Sequence, residues 1–271
     1  MRKSGYTLAE VLITMGIVGV IAAMLLPSMI NKSANANNAS KLSSVVSTLD
    51  NAFGASIVQE NVPDITETAF YRAANAQGFA GELAKYAAIS FVPEVHYMDY
   101  YAPVNELEDG SVTSNAKIGP FHFDGTTVTS GEAISDGSYN DFIPMNMKNG
   151  AVIFILRNIN SKLNMSRVIN NAGGNLVRRA AYVVIDVNGR TMPNRTGRDI
   201  FWFMLGDDGV LYPYGGRDVA IFNAANNNAV GAITEQWNMA NSDTYKCLDR
   251  NIGTGHGCTA RLIEQGYKVK F

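Results

Sequence analysis

The sequence predicts an α+β protein: one long N-terminal α-helix, with a membrane-spanning first half, packed on an antiparallel β-sheet head domain. Three observations predict it. Residues 11–30 form an apolar run of 20 residues without a single charge. Beyond it, Leu42, Val45, Val46, Leu49, Ala52, Phe53 and Ile57 recur at three- and four-residue spacings, the signature of a helix with one apolar stripe. The second half of the chain then offers short apolar runs at 151–156, 181–187, 200–205 and 210–214, separated by turn residues. Strands that follow a long helix, without alternating with further helices, give an antiparallel sheet.

Each element has its own grounds. At about 1.5 Å per residue, the run at 11–30 covers the roughly 30 Å hydrocarbon core of a bilayer. Arg2 and Lys3 precede it and favour a cytoplasmic N-terminus, with the rest of the chain on the far side. Gly16 and Gly19 allow close approach of neighbouring helices. Pro27 lacks an N–H, so it either bends the helix or ends the span. Residues 31–40 are polar and Asn-rich, with modest helix propensity. A helix from Tyr6 to about Gln59 measures on the order of 80 Å. The layout divides into residues 6–30 as a greasy rod, 31–59 as an amphipathic continuation and 60–271 as the head.

Pro63 breaks the long helix. A second helical stretch at 68–89 is expected to be interrupted at Gly78 and Gly81. Residues 90–150 are rich in Gly, Asp, Ser and Tyr and read as a loop-rich insertion, with Tyr97, Tyr100 and Tyr101 as packing aromatics. Residues 206–209, Gly-Asp-Asp-Gly, form a tight hairpin connection. Near the end, 259–265 form a short helix stopped by Gly266, and 267–271 alternate as an edge strand.

Glu10 is the anomaly. It is the only acidic residue in the first 49 positions, and it opens the apolar helix. A carboxylate within a bilayer costs about 2.5–3.5 kcal/mol and calls for a partner. The apolar run contains no Lys, Arg or His. Cleavage after Gly5 would supply a cation, because Tyr6 would then carry a free α-amine four residues before Glu10. Two other readings compete: a plain anchor with an interfacial glutamate, and a Sec-type signal peptide cut at Ala34-Asn35-Ala36. Against the signal peptide stand a run longer than the usual h-region and the glutamate at its entrance.

Gly5-Tyr6-Thr7-Leu8-Ala9-Glu10, followed by the long apolar run, resembles the class III signal of type IV pilins and type II secretion pseudopilins. Tyr6 departs from the Phe usual in that family, but the position stays aromatic. The resemblance implies a leader of residues 1–5, removed between Gly5 and Tyr6 by a prepilin peptidase that also N-methylates Tyr6. It implies that Glu10 guides the subunit into a filament by pairing with a neighbour's N-terminus, and that Pro27 marks a segment that melts as subunits pack. The implied partners are the peptidase, other pilin or pseudopilin subunits, an inner-membrane assembly platform and the membrane itself. The implied location is a single pass through the inner membrane, with a periplasmic head, and then the filament. Within the class, the C-terminal half favours a type II secretion pseudopilin over a type IV pilin for adhesion, DNA uptake or motility. The rival from a different class is a Sec-exported periplasmic binding or hydrolytic domain released after Ala36.

In the head, Asp186, Asn188 and Asp199 bracket an Asp-x-Asn-Gly loop that has two readings. One is a calcium loop of oxygen ligands, without the spacing of an EF-hand. The other is a structural turn, with Asn188-Gly189 as a type I′ bend braced by the two aspartates. Major pseudopilins bind calcium in a C-terminal loop, but the flanking pattern here does not match residue by residue. Calcium is the only cofactor suggested. Cys247 and Cys258 lie on either side of ten residues, and outside the inner membrane they are expected to form a disulfide worth about 3 kcal/mol. A Cys247/His256/Cys258 metal site lacks a fourth ligand. His96, His122 and His256 fall in no acid/base pattern, and no nucleophile or dinucleotide motif is present, so no enzyme is expected. A net charge of -2 argues against a strongly basic nucleic-acid binder.

Overall fold

The computed structural model describes residues 7–91, 100–101, 133–134, 137–138, 143–157, 168–170, 176–214, 255 and 257–267. Helix α1 runs over Leu8–Glu60, 53 residues, and continues through Pro27. By Cα packing the chain divides into Met1–Asn37 and Asn38–Phe271.

In the first unit, Leu8–Leu26 is long and apolar enough to cross a membrane, and none of it is buried. Leu8 is 79% exposed and Met24 74%, and the residues between them are open on every side of the helix. A helix that is apolar all round belongs in a lipid or protein environment, not in water.

In the second unit the amphipathic stripe packs as expected. Ala39, Leu42, Val45, Val46, Leu49, Ala52 and Phe53 are buried in one core cluster, with Ile57 partly buried against it. Each fully buried Leu, Val or Phe contributes roughly 1.5–3 kcal/mol. The helix stops in a Schellman motif. Asn61 takes a left-handed φ of 51°, its N–H donates to Val58 O at 3.2 Å, and Val62 N–H donates to Ile57 O at 3.2 Å.

A short 3₁₀ turn, Ile65–Glu67, follows, capped by Asp64 Oδ1, which accepts the Thr66 N–H at 2.8 Å. Then come α2 (Ala69–Arg72) and α3 (Ala76–Leu83). The expected interruptions at Gly78 and Gly81 do not occur, since both glycines lie inside α3. The break falls at residues 73–75 instead. There Asn75 Oδ1 accepts the Gly78 N–H at 2.7 Å and starts a new helix, a cap outweighing the glycines' poor propensity.

The strands in chain order are β1 (Ile89–Phe91), β2 (Ala133–Ile134), β3 (Gly137–Ser138), β4 (Ile143–Met147), β5 (Val152–Arg157), β6 (Val168–Asn170), β7 (Leu176–Asp186), β8 (Ile200–Gly206) and β9 (Leu211–Pro213), and the last helix is α4 (Cys258–Glu264). The main sheet has the order β1-β4-β5-β7-β8-β9, with β6 also on β7, and β2 pairs with β3 separately. All strand pairs among the described residues are antiparallel, as expected, and an isolated Thr196–Ile200 bridge is parallel.

Alternation along the strands splits the core in two. Ile153, Ile155, Val183, Ile185, Phe201 and Phe203 join the α1 stripe. Phe154, Tyr182, Val184, Trp202 and Met204 form a second cluster with Tyr101 and Tyr214. A sheet buried on both faces needs apolar side chains at every position, which is why these strands read as continuous apolar runs. Tyr100 and Tyr101 stack edge-on at 5.0 Å and sit against Phe154, the packing role expected of them. Tyr97 lies outside the described residues, as do residues 268–271 of the expected edge strand.

Single contacts fix how the elements dock. Arg157 Nη1 donates to the carbonyls of Tyr71 at 2.6 Å and Ala73 at 2.9 Å, placing a cation at the C-terminal end of α2. Asp50 of α1 accepts the Leu211 N–H at 2.9 Å, tying the β8–β9 hairpin to the long helix. Thr259 Oγ1 of α4 accepts the Trp202 N–H at 2.8 Å. Helix α4 ends as predicted at Gly266, with φ of 63°.

In the expected hairpin at 206–209, Gly209 has φ of 81°, and a Cβ there would lie 2.8 Å from Ile57 Cδ1 of α1. Gly209→Ala therefore meets both a left-handed backbone and the helix. We expect it to lower stability by about 1–2 kcal/mol from the backbone conformation alone. Denaturant unfolding of the detergent-solubilised chain, with the midpoint shifting down at constant slope, measures this.

Candidate functional site

The start of α1 is the first site. Thr7 donates both its backbone N–H and its hydroxyl to Glu10 Oε2, each at 2.8 Å. The Glu10 N–H donates back to Thr7 Oγ1 at 3.3 Å. This is a capping box, in which the cap residue and the residue three positions on satisfy each other's donors. It holds Glu10 against the first turn, with the carboxylate directed at the helix start. Thr14 Oγ1 donates to Glu10 O at 2.9 Å, so the next polar side chain of the run is also satisfied within the helix. Gly5 and Tyr6, the expected processing residues, lie outside the described residues. Pro27 lies within α1. Sequence reasoning singled out Glu10 but missed Thr7, although Thr-x-x-Glu ahead of an apolar run is a legible signature.

The second site closes one end of the β7–β8 connection, within the head unit. Asp186 is the last residue of β7 and Asp199 immediately precedes β8, and both are fully buried. Asn188 bridges them: its N–H donates to Asp186 Oδ1 at 3.1 Å and its side-chain amide donates to Asp199 Oδ2 at 3.3 Å. Tyr101 donates its hydroxyl to Asp186 Oδ2 at 2.6 Å. Asp199 also accepts the N–H groups of Asn194 at 2.9 Å and Arg195 at 2.6 Å.

The structure thus brings Asp186, Asn188 and Asp199 together. All four carboxylate oxygens accept N–H or O–H donors, the arrangement of a braced turn. Among the described residues no group of three His, Cys, Asp or Glu is placed to hold a metal ion. The bend itself differs from expectation. Gly189 has φ of 62°, but Asn188 is not among the non-glycine residues at positive φ, so the pair does not make a type I′ turn. That turn closes a two-residue hairpin, whereas this connection runs from Val187 to Asp199 and spends its left-handed residues at Gly189, Asn194 and Gly197.

Burial pushes the Asp186 carboxyl well above the usual carboxylate range, and the neighbouring charge of Asp199 pushes the same way; the Tyr101, Asn188 and Gly189 donors pull it down. Burial likewise raises Asp199, to about 6, against the donors from Arg195, Asn194 and Asn188 and the charge of Arg198.

Cys258 is fully buried at the start of α4, and no cysteine among the described residues is free. Cys247, His96, His122 and His256 lie outside the described residues, so the geometry of the expected pairing is not defined.

Residues 1–26 match the family model described as the prokaryotic N-terminal methylation motif. The match takes in the helix start with Glu10 and the apolar run as far as Leu26, and no residue of the head unit. No curated protein and no solved structure matches the chain.

The two aspartates set a pH dependence. An acid whose folded pKa is raised favours folding in its protonated form, so its contribution is complete below the unfolded value and is lost as pH rises through the folded one. Raised from the ordinary 3.8, to about 6 for Asp199 and well above that ordinary value for Asp186, the pair should make the head less stable as pH climbs from 4 to beyond 6. Melting temperatures across that range should fall. Asp186→Asn keeps an acceptor for Asn188 and offers a donor to Tyr101 Oη, and should flatten the fall.

Proposed function

We propose that this type IV pilin-like chain, with its N-terminal cleavage and methylation motif, is a structural subunit of a filament assembled from the inner membrane, specifically a type II secretion pseudopilin. The observation that carries the proposal is the methylation-motif match at residues 1–26, with an acidic residue at the mouth of an apolar helix. The motif points to a structural subunit and not to an enzyme, and implies processing by prepilin peptidase and assembly into filaments.

The chemistry runs in order. Arg2 and Lys3 hold the precursor with its N-terminus inside. The peptidase cuts between Gly5 and Tyr6 and methylates the new amine of Tyr6. The unburied helix Leu8–Leu26 waits in the bilayer. Glu10 then meets the amine of a neighbouring subunit, which turns an expensive lone carboxylate into a charge-assisted pair. Pro27, with no N–H to give, is the place where the rod yields as helices pack.

The pseudopilin assignment within the class is supported by the Asp186–Asp199 string and by the C-terminal Cys258-Thr-Ala-Arg-Leu-Ile-Glu-Gln-Gly-Tyr-Lys stretch, which resemble that group. We read the Asp186–Asn188–Asp199 loop as a structural brace and not a calcium site, because hydrogen-bond donors already occupy its carboxylate oxygens. We pair Cys258 with Cys247, the chain's only other cysteine. The rival cleavage after Ala36 falls inside α1, on backbone that a peptidase must first unwind.

Intact-mass analysis of the mature protein should show a chain beginning at N-methyl-Tyr6, which gains two hydrogens on reduction. A start at Asn37 would establish the rival. Glu10→Ala should leave cleavage largely intact and abolish filaments, read as loss of the sheared or cross-linked fraction.

A further inference from the structure

We propose that Asn149 is a self-modifying site, whose side-chain amide closes on the Gly150 nitrogen, loses ammonia and is hydrolysed to an aspartyl or isoaspartyl residue, while the fold protects Asn188 from the same reaction. The sequence holds two Asn-Gly pairs, 149–150 and 188–189. A following glycine has no Cβ to stand in the way of ring closure, so on sequence alone both pairs are equally prone. The structure separates them.

Asn149-Gly150 lies in the turn between β4 and β5. Residues 148–150 are exposed, and a Cβ on Gly150 would meet nothing within 4 Å. Asn149 Oδ1 accepts the Ala151 N–H at 3.0 Å. This is an Asx turn, in which the side chain takes the place of a backbone residue in a β-turn. It folds the carboxamide over the Gly150 peptide and carries Cγ towards the nitrogen that attacks it. Among the described residues nothing accepts from Asn149 Nδ2, which is the leaving group. The restraint is the Gly150 N–H, which donates to Met147 O at 3.0 Å and has to open first.

The reaction needs water and no cofactor. The Gly150 nitrogen bonds to Asn149 Cγ, the Cγ–Nδ2 bond breaks, and Nδ2 leaves as ammonia with the proton of the Gly150 amide. Water then opens the five-membered imide at either carbonyl. Opening at the side-chain carbonyl restores an ordinary peptide with a carboxylate side chain. Opening at the main-chain carbonyl gives the isoaspartyl form, with one more carbon in the backbone.

Asn188 has that route closed at each stage. Its side-chain amide, the group that would leave, donates to Asp199 Oδ2 at 3.3 Å. The Gly189 N–H donates to Asp186, and giving up that proton would cost a buried carboxyl one of its donors. Gly189 is itself buried, with Gly150 O and Tyr100 Oη each 3.4 Å from where its Cβ would lie, so the water for ring opening is kept out. The two pairs lie side by side, one on the surface and one beneath it.

The test ages the full, detergent-solubilised chain at mildly alkaline pH, native and in urea, then digests it and weighs the peptide that carries each Asn-Gly pair. In the native chain the Asn149 peptide should gain one mass unit about 100-fold faster than the Asn188 peptide, the scale on which misplacing reacting groups acts. In urea the two should convert at comparable rates, since glycine follows each. Asn149→Gln, which would have to close a larger ring, should remove the gain from that peptide. An unchanged Asn149 peptide in the native chain, equal conversion at Asn188, an Asn188 peptide that stays slow in urea, or a gain that survives Asn149→Gln would each overturn the assignment. None of these outcomes bears on the filament reading, which stands or falls on the mature N-terminus.

Discussion

One helix has to satisfy two solvents. A helix meets its own backbone hydrogen-bonding needs along its length, so α1 can run from a stretch apolar enough to cross a membrane into the stripe that packs in the head unit without orphaning an N–H or a C=O between them. Only the side chains must change with the surroundings, and they do. From Val11 to Ile30 there is no charge, and over Leu8–Leu26 none of the helix is buried. From Ala39 onward one stripe is buried and the opposite side carries Lys41, Ser44 and Asn51. Glu10 is the one residue that breaks the rule, and the capping box with Thr7 is how the helix tolerates it.

The head is organised around the same element. Its central strands are buried on both faces, one against the α1 stripe and one against a cluster of Tyr, Phe and Trp side chains. Such a sheet has little room for polar groups, and those it admits are tied up: Arg157 on the carbonyls of α2, Asp50 on the hairpin, and the aspartate pair on the N–H groups of its own loop. The pair is the costliest of these. Two carboxylates out of water and close together disfavour their own charges, and the hydrogen bonds they accept offset only part of that. The loop keeps them because they hold together three stretches far apart in sequence: β7, the start of β8 and Tyr101.

Much of this was legible in the sequence. The span, the amphipathic stripe, the apolar strands, the stop at Gly266 and the oddity of Glu10 all follow from local pattern, because each is imposed by a neighbour within a few residues or by the solvent. What escaped depends on contacts that local pattern does not encode. The split between α2 and α3 turned on Asn75 reaching Gly78, where glycine propensity suggested other breakpoints. The bend after β7 turned on Tyr101, 85 positions from Asp186, and on Asn188 facing two carboxylates at once. Thr7 is the exception, since the Thr-x-x-Glu signature was in plain view.

The reach of the motif follows from the same physics. On the proposed function, the first 26 residues answer to demands set outside the chain: a peptidase that reads the bonds around Gly5 and Tyr6, a bilayer that excludes charge, and a neighbour that must find a carboxylate at one depth. Few sequences meet all three, so a family model captures that segment. The head answers mainly to itself. Any set of side chains that fills both faces of the sheet and covers the α1 stripe will fold, and cores accept many such sets when volume and pattern are kept. A subunit built this way keeps the chemistry of assembly in its helix start and leaves the surface of its head free to differ.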